Sequence, residues 1–313
     1  MKPQIDVIFQ RDQGCGEGPF WSEDEQVLYS VDIPGCTVNS YEAKTGKNSS
    51  TKIDGVSAVS FVIPVAGKPN HFLVGVDLTI GLLHWEGQDG VISTVQPLAS
   101  SCFESPGSRF NDAKCDPSGR LWVGSMGPEG APGEILTGDS SFLHTLEPDG
   151  NMEIRLNKVV LSNGLDWSKD MTKFYYIDSS RYQVDVYDCN ITTGSLCNRR
   201  CLLDFKSEGL LGIPDGMTID EEGHLWVATF SGKRVLRVHC ETGAVISSLE
   251  LPVPNVTSCC FGGKDLDTLF VTTASKYSDM KKYPLGGSIF KVTGIGVRGL
   301  RPGVPANIAI LNE

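Results

Sequence analysis

Short apolar runs rich in β-branched and aromatic residues recur along the whole chain, separated by clusters of Gly, Asp, Asn and Pro. Gln26-Val-Leu-Tyr-Ser-Val-Asp32, His71-Phe-Leu-Val-Gly-Val76, Arg120-Leu-Trp-Val-Gly124, Lys173-Phe-Tyr-Tyr-Ile177, Asp185-Val-Tyr187, Leu225-Trp-Val-Ala-Thr229 and Thr268-Leu-Phe-Val-Thr272 are of this kind. Runs of this length and composition are strand signals. Thr45-Gly46, Asp89-Gly90 and Asp149-Gly150 supply turns between them. No long stretch follows a 3.6-residue period, so the pattern predicts an all-β protein.

The runs repeat. Trp21-Ser-Glu-Asp24 through Val27-Leu-Tyr-Ser-Val-Asp32 matches Trp167-Ser-Lys-Asp170 through Lys173-Phe-Tyr-Tyr-Ile-Asp178 at a constant offset of 146. Asp116-Pro-Ser-Gly-Arg-Leu-Trp-Val-Gly124 matches Asp220-Glu-Glu-Gly-His-Leu-Trp-Val-Ala228 at an offset of 104, twice 52. Phe261-Gly-Gly-Lys-Asp-Leu-Asp-Thr-Leu-Phe-Val-Thr272 is a weaker copy. All-β repeats of this size, four strands each, predict a propeller. With 313 residues and a period of 52, six blades form one domain over residues 1–313. Segments around Ser57–Phe61 and Thr257–Phe261 supply the two inner strands that carry no acid. Ile5–Phe9 and Gly287–Thr293 are expected to share the closing blade and remove a free sheet edge. Trp21, Trp122, Trp167 and Trp226 fall at repeat positions, which marks them as core packing.

Asn111, Asn163 and Asp215 stand 52 residues apart, each at the head of a similar phrase: Phe-Asn111-Asp112-Ala, Ser-Asn163-Gly-Leu and Pro-Asp215-Gly-Met. Gly16-Glu17-Gly-Pro19 places an acid at the corresponding point near the N-terminus. Singly, an Asn-Gly or Asp-Gly pair reads as a turn. Together they bring oxygen ligands from separate repeats to the propeller axis, as a hard divalent cation requires.

Composition narrows the classes. A net charge of −11 disfavours nucleic acid and anionic membranes as partners. No run approaches the length of a membrane helix and no signal peptide is seen, so the ten cysteines are expected as thiols in the cytoplasm. They do not form a paired zinc framework, and the five histidines are scattered. Gly294-Ile-Gly-Val-Arg-Gly299 matches a dinucleotide fingerprint but has too little chain after it for a βαβ unit. No nucleophile elbow, zincin helix or EF-hand loop is present.

From about Gly16 to about Gly299 the chain resembles the regucalcin (senescence-marker protein), gluconolactonase and luciferin-regenerating enzyme family. The resemblance is carried by Gly-Glu17-Gly-Pro-Phe-Trp, Arg109-Phe-Asn111-Asp112-Ala-Lys-Cys-Asp-Pro-Ser-Gly, Ser-Asn163-Gly-Leu-Asp-Trp and Pro-Asp215-Gly-Met-Thr-Ile-Asp-Glu-Glu-Gly. It implies a six-bladed β-propeller with one divalent ion, Ca²⁺, Zn²⁺, Mn²⁺ or Mg²⁺, in the central channel. Glu17, Asn163 and Asp215 match the family's metal ligands, and Asp215 also its general base. Arg109 and Asn111 match substrate-orienting positions, Glu129 a contact to sugar hydroxyls, and Asp112 lies close by. Ala113 stands where the family carries glycine, and residues 130–142 depart from its pattern.

The expected reaction is hydrolysis of a sugar lactone, with the metal polarising the carbonyl and Asp215 activating water. Other enzymatic readings are luciferin-regenerating chemistry on an aromatic heterocycle, with Phe103, Phe110 and Phe142 at the mouth, or organophosphate hydrolysis. From another class comes a non-enzymatic calcium-binding regulatory protein. WD40 and Kelch signatures are absent.

Overall fold

A computed structural model describes residues 3–10, 13–101, 105–128 and 138–308. Six sheets, each built on four antiparallel strands, stand around a common axis. Their inner strands are Gly16–Ser22, Val59–Pro64, Arg109–Cys115, Ser162–Trp167, Ile213–Ile219 and Val256–Gly262, which define blades 1 to 6. Each inner strand packs against the next, and the sixth packs against the first. The protein is therefore a six-bladed β-propeller, as the repeat predicts.

The ring closes through the chain ends. Gln4–Phe9 pairs antiparallel with Ile289–Thr293 and becomes the outer strand of blade 6. One strand escapes the pattern of four per blade. Val91–Ser93 runs parallel to the outer strand of blade 1, Asn48–Ile53, which gives that sheet five strands. It is three residues long and Ile92 is exposed, so no alternation of apolar and polar positions announces it.

The core lies between blades. Trp21, Trp122 and Trp167 are fully buried, and Trp226 nearly so. Trp21 stacks on Phe270, and Trp122 meets Trp167 edge-on. The repeated Asp-x-x-Gly-x-Leu-Trp phrase is a latch. The indole N–H of Trp122 donates to Asp116 Oδ2 at 3.1 Å, and that of Trp226 to Asp220 Oδ2 at 2.9 Å. Each buried carboxylate also takes backbone N–H bonds from its own turn.

The expected loop Gly130–Gly138 lies outside the described residues except for its last position. From Ser141 to Leu146 the chain is already the third strand of blade 3, so the departure from the family pattern there does not break the blade. Nine cysteines are described and all are free thiols. Among the described residues no helix is long and apolar enough to cross a membrane.

Candidate metal centre

Every inner strand slips register near its start. In blades 3, 4 and 5 two residues stand opposite one: Asn111-Asp112, Asn163-Gly164 and Asp215-Gly216. In blade 1 the slip falls between Glu17 and Phe20. These are β-bulges, which bend a strand and re-aim its side chains. Bulges at one level in blades 3, 4 and 5 bring Asn111, Asn163 and Asp215 to the same level of the axis, and Glu17 is the paired residue just before the slip in blade 1. Each phrase that read singly as a turn is thus a bulge within a strand.

The glycines follow from crowding. A Cβ on Gly164 would lie 2.6 Å from Asp215 O, and one on Gly216 would lie 2.0 Å from Ser258 Oγ. Neighbouring inner strands approach too closely there for a side chain. Blade 3 carries Asp112 at this position instead. Blades 2 and 6, without acids, use hydroxyls to tie strands together: Ser60 Oγ donates to Phe110 O at 2.5 Å, and Thr257 Oγ1 to Gly16 O at 2.6 Å.

Glu17, Asn111, Asn163 and Asp215 are all buried. Asn111 Nδ2 donates to Asn163 Oδ1 at 3.0 Å and to Ser162 O at 2.8 Å. Asn111 Oδ1 accepts from Arg109 Nη1 at 2.7 Å. Asn163 Nδ2 donates to Ser179 Oγ at 2.9 Å, and Ser179 Oγ donates to Pro214 O, next to Asp215, at 2.6 Å. This network fixes both amides: Asn163 keeps its oxygen toward Asn111 and its nitrogen toward Ser179.

Two kinds of residue here went unread in the sequence. Ser179 lies beyond the repeated strand and carries no motif. Asp32 and Asp178 are visible in the repeat, but their work is not. Asp32 accepts the N–H groups of Gly14 and Cys15, and Asp178 those of Val160 and Leu161. Each braces the segment that leads into Glu17 or Asn163.

The electrostatics are those of crowded acids. Burial, and then the charge of Asp112, pushes the Glu17 carboxyl from its ordinary 4.5 up to about 8. Burial, and then the charges of Glu17 and Asp112, holds the Asp215 carboxyl well above the carboxylate range. Arg109 opposes both shifts. Asp112 itself is raised by burial to about 6, against the pull of Lys114. Asp112 lines an axial cavity of about 70 Å³ with Lys114, Asp166, Cys259 and Cys260. Lys114 Nζ bonds Asp166 Oδ2 at 2.8 Å and Met217 O at 3.0 Å there.

A divalent cation suits this donor set. Two carboxylates and an amide oxygen are hard ligands. Burial and neighbouring negative charge raise both carboxyls, and a bound cation would take the place of their protons.

Glu129 and Phe103 lie outside the described residues. Phe110, expected at the mouth, is fully buried instead: alternation along the inner strand turns it into the core, edge-on to His144. Phe142 is partly buried. The histidines are scattered in sequence but not in space, since His71 meets His84 and His224 meets His239.

Comparison with known proteins bears out the fold. The family pattern described as SMP-30/Gluconolactonase/LRE-like region matches residues 15–275. The chain belongs to this family. Regucalcin from Bos taurus is 40% identical over 303 residues, covering 96% of this chain and 97% of that protein. Regucalcin from Gallus gallus is 40% identical over 291 residues, covering 92% and 93%. A solved luciferin-regenerating enzyme superposes with a TM-score of 0.90 at 35% identity, covering 98% of this chain and all of that one. The SMP-30/gluconolactonase match spans the inner strands of all six blades, and with them Glu17, Arg109, Asn111, Asn163 and Asp215.

Proposed function

We propose that the protein is a divalent-metal-dependent hydrolase that opens sugar lactones such as gluconolactone. The observation that carries this reading is the pair of buried carboxyls, Glu17 and Asp215, raised by burial and by neighbouring acids, together with the fixed amide oxygen of Asn163.

Glu17, Asn163 and Asp215 would hold one Ca²⁺, Zn²⁺, Mn²⁺ or Mg²⁺, with positions left open. When bound, the ion supplies Lewis-acid polarisation of the lactone carbonyl. Asp215 accepts the proton of the attacking water on its second oxygen. Arg109 would direct its guanidinium at the ring or its hydroxyls. Asn111 holds Arg109 and Asn163 in register through its own amide, so its action on the substrate runs through both. Asp112 adds negative charge beneath the ligands and favours the cation. Glu129 is assigned to a substrate hydroxyl on the resemblance alone. Nine described cysteines, all free, suit a reducing cytoplasm.

The likeness to a luciferin-regenerating enzyme favours a second reading, the same site acting on an aromatic heterocycle. Against it, Phe110 lends no apolar wall, and Arg109 places a charged fork at the centre. The relatives called regucalcin favour a third, calcium binding without turnover. A kcat/KM comparison across D-glucono-δ-lactone, other aldonolactones and an aromatic cyclic ester separates them. Preference for the aldonolactones is expected. Preference for the aromatic ester selects the second reading, and metal binding with no turnover selects the third.

A further inference from the structure

On the face of the propeller opposite the bulges, blade 5 holds a second cluster of metal-ligating side chains. The inner strand Ile213–Ile219 starts at the bulge level and runs away from it, so the turn 220–224 lies at the far face. The hairpin after Arg234–Val238 ends at that same face. His224 comes from the first turn, and His239 and Cys240 from the second. One donor atom of each lies within 4.8 Å of the other two, and all three residues are partly exposed.

The repeat shows what this position does elsewhere. Leu121 faces Leu146 in blade 3, and Leu225 faces Val238 in blade 5. One step further out, Arg120 and Glu147 form an ion pair in blade 3 at 3.2 Å. Arg120 also donates to Thr192 O at 2.9 Å. The matching pair in blade 5 is His224 and His239, with ring centroids 4.7 Å apart. The ion pairs of this turn run instead from Arg237 to Asp220 Oδ2 at 2.7 Å and to Glu222 Oε2 at 2.6 Å, and leave the two imidazoles to each other. His224 Nδ1 is buried and has no hydrogen-bond partner on the protein. A buried ring nitrogen without a partner is costly unless something else occupies it.

Blade 2 provides an internal contrast. His71 and His84 are cross-strand partners at the same point, also 4.7 Å apart. There His71 Nδ1 contacts Pro69 O at 2.8 Å, and the residue after His84 is Trp85, not a thiol. Only in blade 5, among the described residues, do two imidazoles and a cysteine sulfur come together. Tyr175, from the second strand of blade 4, lies beside the sulfur.

We propose that His224, His239 and Cys240 form a second, independent site for a borderline-soft divalent ion of the Zn²⁺ type, with solvent in the fourth position. Two imidazoles and a thiolate select such ions over Ca²⁺ and Mg²⁺, which prefer oxygen. Tetrahedral zinc spaces its nitrogen and sulfur donors at roughly 3.3–3.7 Å, so the cluster must contract slightly to close on the ion. His239 Nδ1 accepts long contacts from the N–H groups of Glu241 and Thr242, at 3.3 and 3.4 Å. Binding must displace these or compete with them for the ring's proton, which moderates the affinity. The site joins two turns of one blade and touches the next, so its occupancy stabilises the base of the propeller rather than the reaction.

Cobalt(II) tests this on the metal-stripped full-length protein, because the channel ligands are all oxygen and only a thiolate gives a sulfur-to-cobalt charge-transfer band. Titration is expected to raise that band to saturation at one equivalent per chain for this site. Zn²⁺ should bleach it, and excess Ca²⁺ or Mg²⁺ should not. The band should vanish in Cys240→Ser and need at least tenfold more cobalt in His224→Gln. It should be unchanged in the His71→Gln, His84→Gln double variant and in Glu17→Gln. Absence of the band in the wild type, or its persistence in Cys240→Ser, would overturn the proposal. His224→Gln keeps the test valid if the cysteine variant does not fold.

Discussion

Asn111 commits each of its polar atoms to a neighbour: two donors to Asn163 and Ser162, one acceptor to Arg109. Asn111→Ala therefore removes one partner from the Asn163 amide and one from the arginine together. Metal affinity should fall about 10- to 100-fold, the range seen when partners of a metal ligand are removed, measured by titration calorimetry on stripped protein. Asp215→Asn keeps the shape and removes the base, and kcat should fall about 10²- to 10⁴-fold. Protons carry the third expectation. Glu17 rises from 4.5 to about 8 in the metal-free fold, so it holds a proton at neutral pH that a cation must expel. Apparent metal affinity should climb as pH rises through about 8. Stability runs the other way. A carboxyl raised on folding stabilises fully below its unfolded pKa of 4.5, and that contribution is lost as pH rises through about 8. The melting temperature of stripped protein should carry this falling contribution from Glu17 across that window. Glu17→Gln should remove it, and added metal should reverse it.

At the scale of the strand, the bulge is the device that makes the site. The 52-residue spacing of Asn111, Asn163 and Asp215 was legible because each bulge repeats at one place in one kind of strand. What the glycines after them do was not legible. A sequence gives Asn-Gly and Asp-Gly a turn reading, whereas here the neighbouring inner strand forbids a side chain. Gly164→Ala would drive a methyl group against the Asp215 carbonyl oxygen. Overpacking of this kind costs about 1–3 kcal/mol, so a clear drop in melting temperature is expected together with lower lactone turnover. An unchanged melting point would show that the bulge can open. The braces Asp32 and Asp178 and the link Ser179 stayed hidden for a related reason: their partners lie across a turn or in the next blade, where local pattern says nothing.

Over the whole molecule, the ring is what brings residues from four blades to one point, and it closes through Gln4–Phe9. Removing residues 1–9 would expose the edge of Ile289–Thr293 and empty the place of buried Phe9. Loss of stability and edge-to-edge aggregation are expected, read by light scattering during a thermal ramp. Closure of this kind was legible at the sequence scale because two strand-like ends needed a partner. The parallel strand Val91–Ser93 was not, since its pairing depends on where the blades come to stand.

The central claim is that turnover depends on one cation held by Glu17, Asn163 and Asp215. Its most direct test is D-glucono-δ-lactone hydrolysis by stripped protein, with Ca²⁺, Mg²⁺, Mn²⁺ and Zn²⁺ returned one at a time to the wild type and to Glu17→Gln. Activity should vanish on stripping and return with metal in the wild type, while Glu17→Gln should need far more metal or stay silent. Full activity in the stripped protein, or equal rescue of both proteins at the same metal concentration, would contradict it.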